Sequence, residues 1–249
     1  MTVLSAEERE RYARQTILPG FGDAHQEALK AARVLVIGAG GLGSPCLIAL
    51  AAAGVGTLGI IDDDRVALSN LARQTIHETD AVGDLKVESA SRSLARINPH
   101  VAVEAHAVRL KRENAGDLVE TYDIVVDGTD SFASRTAVAD VCAKVRRPLI
   151  SAAVSRFEGT LTTLMPYTGA PDFADLYPDP PSSWEAGCAE EGVLGAVTQM
   201  LGAMQAAETI KVLLAERGLP LGATLVGRLL IVDALNWRTR TVSYGRRAA

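Results

Sequence analysis

Four glycines, Gly38, Gly40, Gly41 and Gly43, share the string Gly38-Ala39-Gly40-Gly41-Leu42-Gly43, and three carboxylates, Asp62, Asp63 and Asp64, follow some twenty residues on. The spacing is G-x-G-x-x-G, and its chemistry is the holding of a phosphate. Gly38 permits a tight turn, Gly40 lets backbone approach the anion, and Gly43 lets a helix pack close to a sheet. A helix starting here offers unpaired N–H groups and a partial positive charge. Asp62 falls near the distance at which a carboxylate accepts hydrogen bonds from a ribose.

Stepping outward to the elements, Val34 to Ile37 is an apolar run too short for a helix and rich in β-branched residues, as in a buried parallel strand. An alanine-rich helix follows the turn, pauses at Gly54-Val55-Gly56, and gives way to a second strand, Thr57 to Ile61. Strand, turn, helix, strand and acid make a βαβ nucleotide unit. A membrane span over the same uncharged stretch is disfavoured by its seven glycines and Pro45.

Further polar groups are candidates for the same chemistry. From Arg65 to Asp84 the chain lacks periodicity but holds Ser69, Asn70, Arg73, Gln74 and His77, with Lys86 just beyond; long irregular connections are usually functional or mobile. Asp127-Gly128-Thr129-Asp130 ends a buried strand, Ile124 to Val126, where doubly wound sheets bind ligands. Arg14 lies on a charged helix opened by Ser5-Ala6-Glu7-Glu8, a capping-box spacing. Residue types alone leave alternatives open. Arg73 and Lys86 are equally ordinary surface charges, Asp127 or Asp130 a helix cap, and Arg14 part of a solvated face.

The remaining pattern predicts helices at His25–Ala32, around Val87, Ala90, Leu94 and Ile97, and at 113–120, 131–145 and 193–215. It predicts strands at Val101–Ala105, Leu149–Ala152, 225–232 and 237–244, with Glu158 to Met165 an exposed or antiparallel strand. The expected fold is α/β: a Rossmann-like parallel sheet continued by an antiparallel half, with helices on both faces. One domain is expected over 1–249, with a nucleotide-binding half at 1–152 and an antiparallel half at 153–249 that includes a crossover loop at about 166–192.

With 249 residues, 48% of them hydrophobic and 22% charged, the chain can bury a sizeable core. A net charge of −5 argues against nucleic-acid or anionic-membrane partners. Three scattered cysteines and no apolar leader make the cytoplasm the expected location.

In order, Arg11-Tyr12-x-Arg14-Gln15, the glycine turn, Asp62-x-Asp64, Ser69-Asn70-Leu71-x-Arg73-Gln74, Val82-Gly83-x-x-Lys86-Val87, Arg96-Ile97-Asn98-Pro99 and Gly128-Thr129-Asp130 complete a series. The set resembles the ThiF/MoeB/HesA family, bacterial relatives of ubiquitin-activating enzymes, from about residue 5 to 240. The resemblance implies an ATP-dependent adenylyltransferase that activates the C-terminal Gly-Gly carboxylate of a ubiquitin-fold sulfur carrier protein (ThiS/MoaD type). By matching positions, Asp62 would hold the ribose, and Gly38, Gly40, Gly41 and Gly43 the nucleotide backbone, with Asp64 also at the cofactor site. Asn70, Arg73 and Lys86 would grip the phosphates, Ser69 and Gln74 would also belong to the cofactor site, and Asp130 would hold Mg²⁺. The matching arginine, Arg14, reaches the other subunit's site in the family, which implies a homodimer.

Two departures stand out. Relatives usually carry two C-x-x-C pairs for a structural zinc; Tyr167–Tyr177 and Val242–Ala249 hold no cysteine, so no zinc site is expected. Cys188 matches a position that in ThiF-like members can link covalently to the carrier. A nearby helix N-terminus would lower its pKa, and Glu190 and Glu191 would raise it. Competing functions are an NAD-dependent oxidoreductase, a non-catalytic docking member, and an adenylyltransferase of a peptide or tRNA base. The oxidoreductase leaves Arg14, Arg73, Lys86 and Asp130 without roles.

Overall fold

A computed structural model of the protein describes residues 3–110, 112–178 and 192–247. Cys188 and positions 179–191 of the expected crossover loop lie outside the described residues.

The strand Arg33–Ile37 (β1) pairs in parallel with Thr57–Ile61 (β2) and with Ile124–Asp127 (β4). Ala102–His106 (β3) and Leu149–Ser155 (β5) extend the parallel sheet on its two sides. Glu158–Leu164 (β6), Arg228–Asp233 (β7) and Arg238–Ser243 (β8) then add antiparallel strands, giving the order β3-β2-β1-β4-β5-β6-β7-β8. The chain winds from β1 towards β3, returns, and continues from β4 the other way. β1 and β4 therefore flank the switch point, where the loops after adjacent strands diverge and leave a crevice.

Strand alternation decides which helices cover which face. Val34 and Val36 join one core with Leu47 and Leu50 of Gly43–Ala53 (α4), Leu94 of Lys86–Ile97 (α5) and Leu201 of Gly195–Glu216 (α9). Leu35 and Ile37 point the other way, onto Val119 of Arg112–Glu120 (α6) and Val138 of Phe132–Lys144 (α7). β1 is thus buried on both faces, as an uninterrupted apolar run requires.

The structure departs from the sequence expectations in several places. The first helix breaks at Tyr12 into Ala6–Arg11 (α1) and Ala13–Thr16 (α2), because the Tyr12 side chain turns inward to accept a 2.8 Å hydrogen bond from Asn98 Nδ2. The second helix, Gly22–Lys30 (α3), starts three residues earlier than periodicity placed it. β6 is antiparallel and also largely buried, since α9 crosses its face and Leu161 packs with Leu201. A short helix, Phe173–Leu176 (α8), lies in the crossover region. No helix among the described residues is long and apolar enough to cross a membrane.

Candidate functional site

The loops after β1 and β4 meet at two glycines. Gly38 has φ +93° and donates to Ile61 O at 2.7 Å, while Gly128 N donates to Ile37 O at 2.8 Å. A Cβ on Gly38 would stand 3.0 Å from Gly128 O, so both the backbone conformation and the approach select glycine. Between these loops opens a cleft of about 1140 Å³.

Gly38, Gly40 and Gly41 line its floor. Gly43 does not; it lies beneath, where a Cβ would meet Gly38 O at 1.8 Å, so its role is the close passage of α4 under the turn. Among the described residues the N–H groups of Gly40 and Gly41 have no acceptor. The turn therefore presents donors to the cleft, the arrangement that accepts an anion.

Asp62, at the carboxyl end of β2, is buried, lines the cleft and holds two backbone groups: Oδ2 accepts from Ala39 N and Oδ1 from Asp64 N, both at 2.9 Å. Lys86 opens α5, and its Nζ lies 2.8 Å from Asp64 and 4.0 Å from Asp62. Oxygens of Asp62, Asp63 and Asp64 come within 4.8 Å of one another. With Asp62 bound to two N–H groups and Asp64 to Lys86, this trio already has partners for two of its three carboxylates.

Arg73 and Gln74 reach the cleft from the irregular segment after β2. That segment is positioned by helical turns: Asn70 O accepts from both Arg73 N and Gln74 N at 3.0 Å. Gln74 Oε1 is buried without a hydrogen-bond partner among the described residues, an acceptor left for a ligand. Ser69 and Asn70 do not line the cleft. Ser69 O accepts from Arg73 Nη1 at 3.3 Å, so these two residues support the turn that aims Arg73.

From β4, Asp127 is wholly buried and Asp130 is exposed at the cleft wall. Asp127 accepts from Thr129 N at 2.9 Å, from Thr129 Oγ1 at 2.7 Å and from Ser151 Oγ at 3.1 Å, so it builds the loop rather than meeting a ligand. Burial pushes its carboxyl above the usual range, against the pull of Arg135 and these hydrogen bonds. The helix cap is neither aspartate but Ser131, whose Oγ accepts from Ser134 N at 3.1 Å. Arg14 is exposed on α2, outside the cleft wall.

Two further side chains belong here, and the first of them was not among the sequence candidates. Arg135 lines the cleft, donates to Thr129 O at 3.0 Å and keeps a buried Nε without an acceptor among the described residues. Its only signal was a cation in the first turns of the helix after Asp130. His77 lies under the glycine turn, with Nε2 2.9 Å from Ala39 O and Nδ1 2.9 Å from Ser89 Oγ. Nothing in its local pattern indicated that contact, which spans 38 positions.

The fold and cleft define a doubly wound α/β protein whose glycine turn opens on a cleft lined by Lys86, Arg73 and Arg135. The chain belongs to the ThiF family, whose model matches residues 12–248. It is 45% identical over 248 residues to a probable adenylyltransferase/sulfurtransferase MoeZ of Mycobacterium tuberculosis, with 97% of this chain and 62% of that protein covered. It is 43% identical over 246 residues to a sulfur carrier protein adenylyltransferase of Thermus thermophilus, with 96% and 89% covered. The chain thus spans less than two thirds of MoeZ but most of the Thermus protein. The solved structure of E. coli MccB with ATP has the same fold, with a TM-score of 0.80, 21% identity, and 98% of this chain and 75% of that one covered.

Proposed function

We propose that the chain is an ATP-dependent adenylyltransferase that activates the C-terminal Gly-Gly carboxylate of a ubiquitin-fold sulfur carrier protein. A carboxylate oxygen attacks the α-phosphorus of ATP, the acyl–O–P bond forms, and the bond to the pyrophosphate oxygen breaks. Two anions must approach while a third leaves. The observation that carries this reading is that Lys86, Arg73 and Arg135 line the same cleft as Gly38, Gly40 and Gly41 of the turn. A dehydrogenase needs no such set of cations; a phosphoryl centre with negative charge entering and leaving does.

Within that scheme Asp62 fixes the turn and accepts from the ribose, Lys86 and Arg73 bind phosphate oxygens, and Gln74 orients an adjacent donor. Asp130 suits Mg²⁺: it is an acceptor-only group, exposed at the cleft, with no side-chain partner among the described residues. Bound there, the ion would neutralise phosphate charge. Arg14, exposed and not part of its own cleft's lining, suits a role in the site of a second copy, so a homodimer forms part of the proposal. The chain would act as one unit over 1–249, in the cytoplasm, without nucleic-acid or membrane partners.

No structural zinc is proposed. Cys46 and Cys142 are buried on opposite faces of the sheet, and burial pushes both thiols up, which disfavours the thiolates that zinc requires. One tightly held zinc per chain in metal analysis would refute this. Cys188 is proposed to act after adenylylation, so Cys188→Ser should retain the exchange reaction.

The deciding experiment offers the purified protein a small Gly-Gly-tailed carrier and follows exchange of labelled pyrophosphate into ATP. Carrier-dependent exchange is expected. Hydride transfer with NAD and no exchange would refute the proposal.

A further inference from the structure

We infer that His77 is a positioning residue for the nucleotide phosphates: it holds the Ala39–Gly40 peptide so that the Gly40 N–H faces the cleft. This rests on the nucleotide reading above and goes beyond it. Ala39 O only accepts, so His77 Nε2, 2.9 Å away, must carry the proton. Burial lowers the pKa of the ring and favours its neutral form, in which Nδ1 is an acceptor. The Ser89 hydroxyl, 2.9 Å from Nδ1, is then the donor. The acceptor-only Ala39 O sets this tautomer, and the Ser89 hydroxyl on α5, able to donate, orients the ring from its other nitrogen.

The consequence for the turn follows from peptide geometry. In a planar trans peptide the C=O and the following N–H point in opposite directions, and no cis peptide occurs among the described residues. Drawing Ala39 O inwards to His77 turns Gly40 N–H outwards. The other side of Ala39 is fixed as well, its N–H donating to Asp62 Oδ2 at 2.9 Å. Ala39 is fully buried while Gly40 lines the cleft, so the peptide spans the boundary between core and ligand space. Ser44 Oγ shares the carbonyl at 3.3 Å, a longer contact that backs up the histidine. A preset donor avoids the cost of orienting the loop when the phosphate arrives.

The test compares ATP with adenosine, which has no phosphate, by calorimetric or competitive titration of the full chain at neutral pH. Loss of a buried hydrogen bond that aims a donor predicts that His77→Leu weakens ATP about tenfold while adenosine changes less than about twofold. His77→Gln, whose Nε2 can donate to the same carbonyl, should recover ATP affinity to within about threefold of wild type. Ser89→Ala, a favourable helix substitution, should weaken ATP about threefold because the ring loses the Nδ1 hydrogen bond that orients it towards Ala39 O. Equal losses for ATP and adenosine would reveal a merely structural histidine and overturn the inference. So would unchanged ATP affinity in a folded His77→Leu protein. If that variant does not fold, wild-type ATP affinity in Ser89→Ala overturns it instead. Wild-type protein that binds no ATP overturns the adenylylation reading and this inference with it, which distinguishes the two failures.

Discussion

Lys86 Nζ lies 2.8 Å from Asp64 Oδ2, and the two halves of this ion pair occupy different media: the lysine side chain is 7% exposed and the aspartate 69%. The aspartate can leave for solvent; the ammonium cannot. Asp62, 4.0 Å from the same Nζ, is held by two backbone N–H groups and stays where it is. A phosphate oxygen entering the cleft would therefore compete with Asp64 alone.

Lys86→Ala should accordingly lower carrier-dependent pyrophosphate exchange about 10²- to 10³-fold, as for loss of a group that stabilises developing charge. Asp64→Asn should cost less than about tenfold, because solvent already screens that carboxylate. Equal losses in steady-state exchange would show that the ion pair, rather than the cation, is what matters.

The two aspartates of the β4 loop should separate cleanly. Asp130→Asn is expected to abolish exchange with a urea midpoint close to wild type, since Asp130 is exposed at the cleft. Asp127→Ala removes the acceptor for Thr129 and Ser151 in a fully buried position and should destabilise by about 1–3 kcal/mol. Paired urea titrations and exchange assays on both variants check this.

Gly43 and Gly40 should also fail differently. A Cβ at Gly43 would meet Gly38 O at 1.8 Å, so Gly43→Ala should destabilise by about 3 kcal/mol or more. At Gly40 the nearest atom is Gln74 Nε2 at 3.7 Å, an ordinary contact. Gly40→Ala should fold, yet bind ATP more weakly because a methyl group intrudes where the phosphate must approach. Thermal unfolding with and without ATP distinguishes the two.

Acid should loosen the N-terminal cap. Burial alone would raise the pKa of Glu8, but Lys30 Nζ at 2.7 Å, together with the Ser5 N–H and hydroxyl, outweighs it and holds the carboxyl below its usual value. A lowered folded-state pKa means stability present above the unfolded value and lost as pH falls through the folded one. Glu8→Gln should therefore lower the urea midpoint at neutral pH, and the gap from wild type should narrow as pH drops below about 4. A gap that stays constant across that range would contradict the linkage.

Local sequence determined the nucleotide unit. A run such as Val34–Ile37 is apolar throughout because both of its faces are covered, and glycines at 38, 40, 41 and 43 reflect limits on backbone conformation and approach that act over a few residues. The same locality made the Ser5–Glu8 cap and the Asp127–Asp130 loop legible. What the sequence could not rank were residues whose meaning depends on distant partners. Lys86 is buried because Asp62 and Asp64 stand across the sheet end, Arg135 reaches the cleft because β4 pairs with β1, and Tyr12 breaks its helix to meet Asn98. His77 serves Ala39 only once the segment after β2 folds back beneath the glycine turn. Periodicity fixes which face a side chain takes within its own element; only the packing of elements decides what that face meets, since such contacts join chain segments with no spacing rule between them.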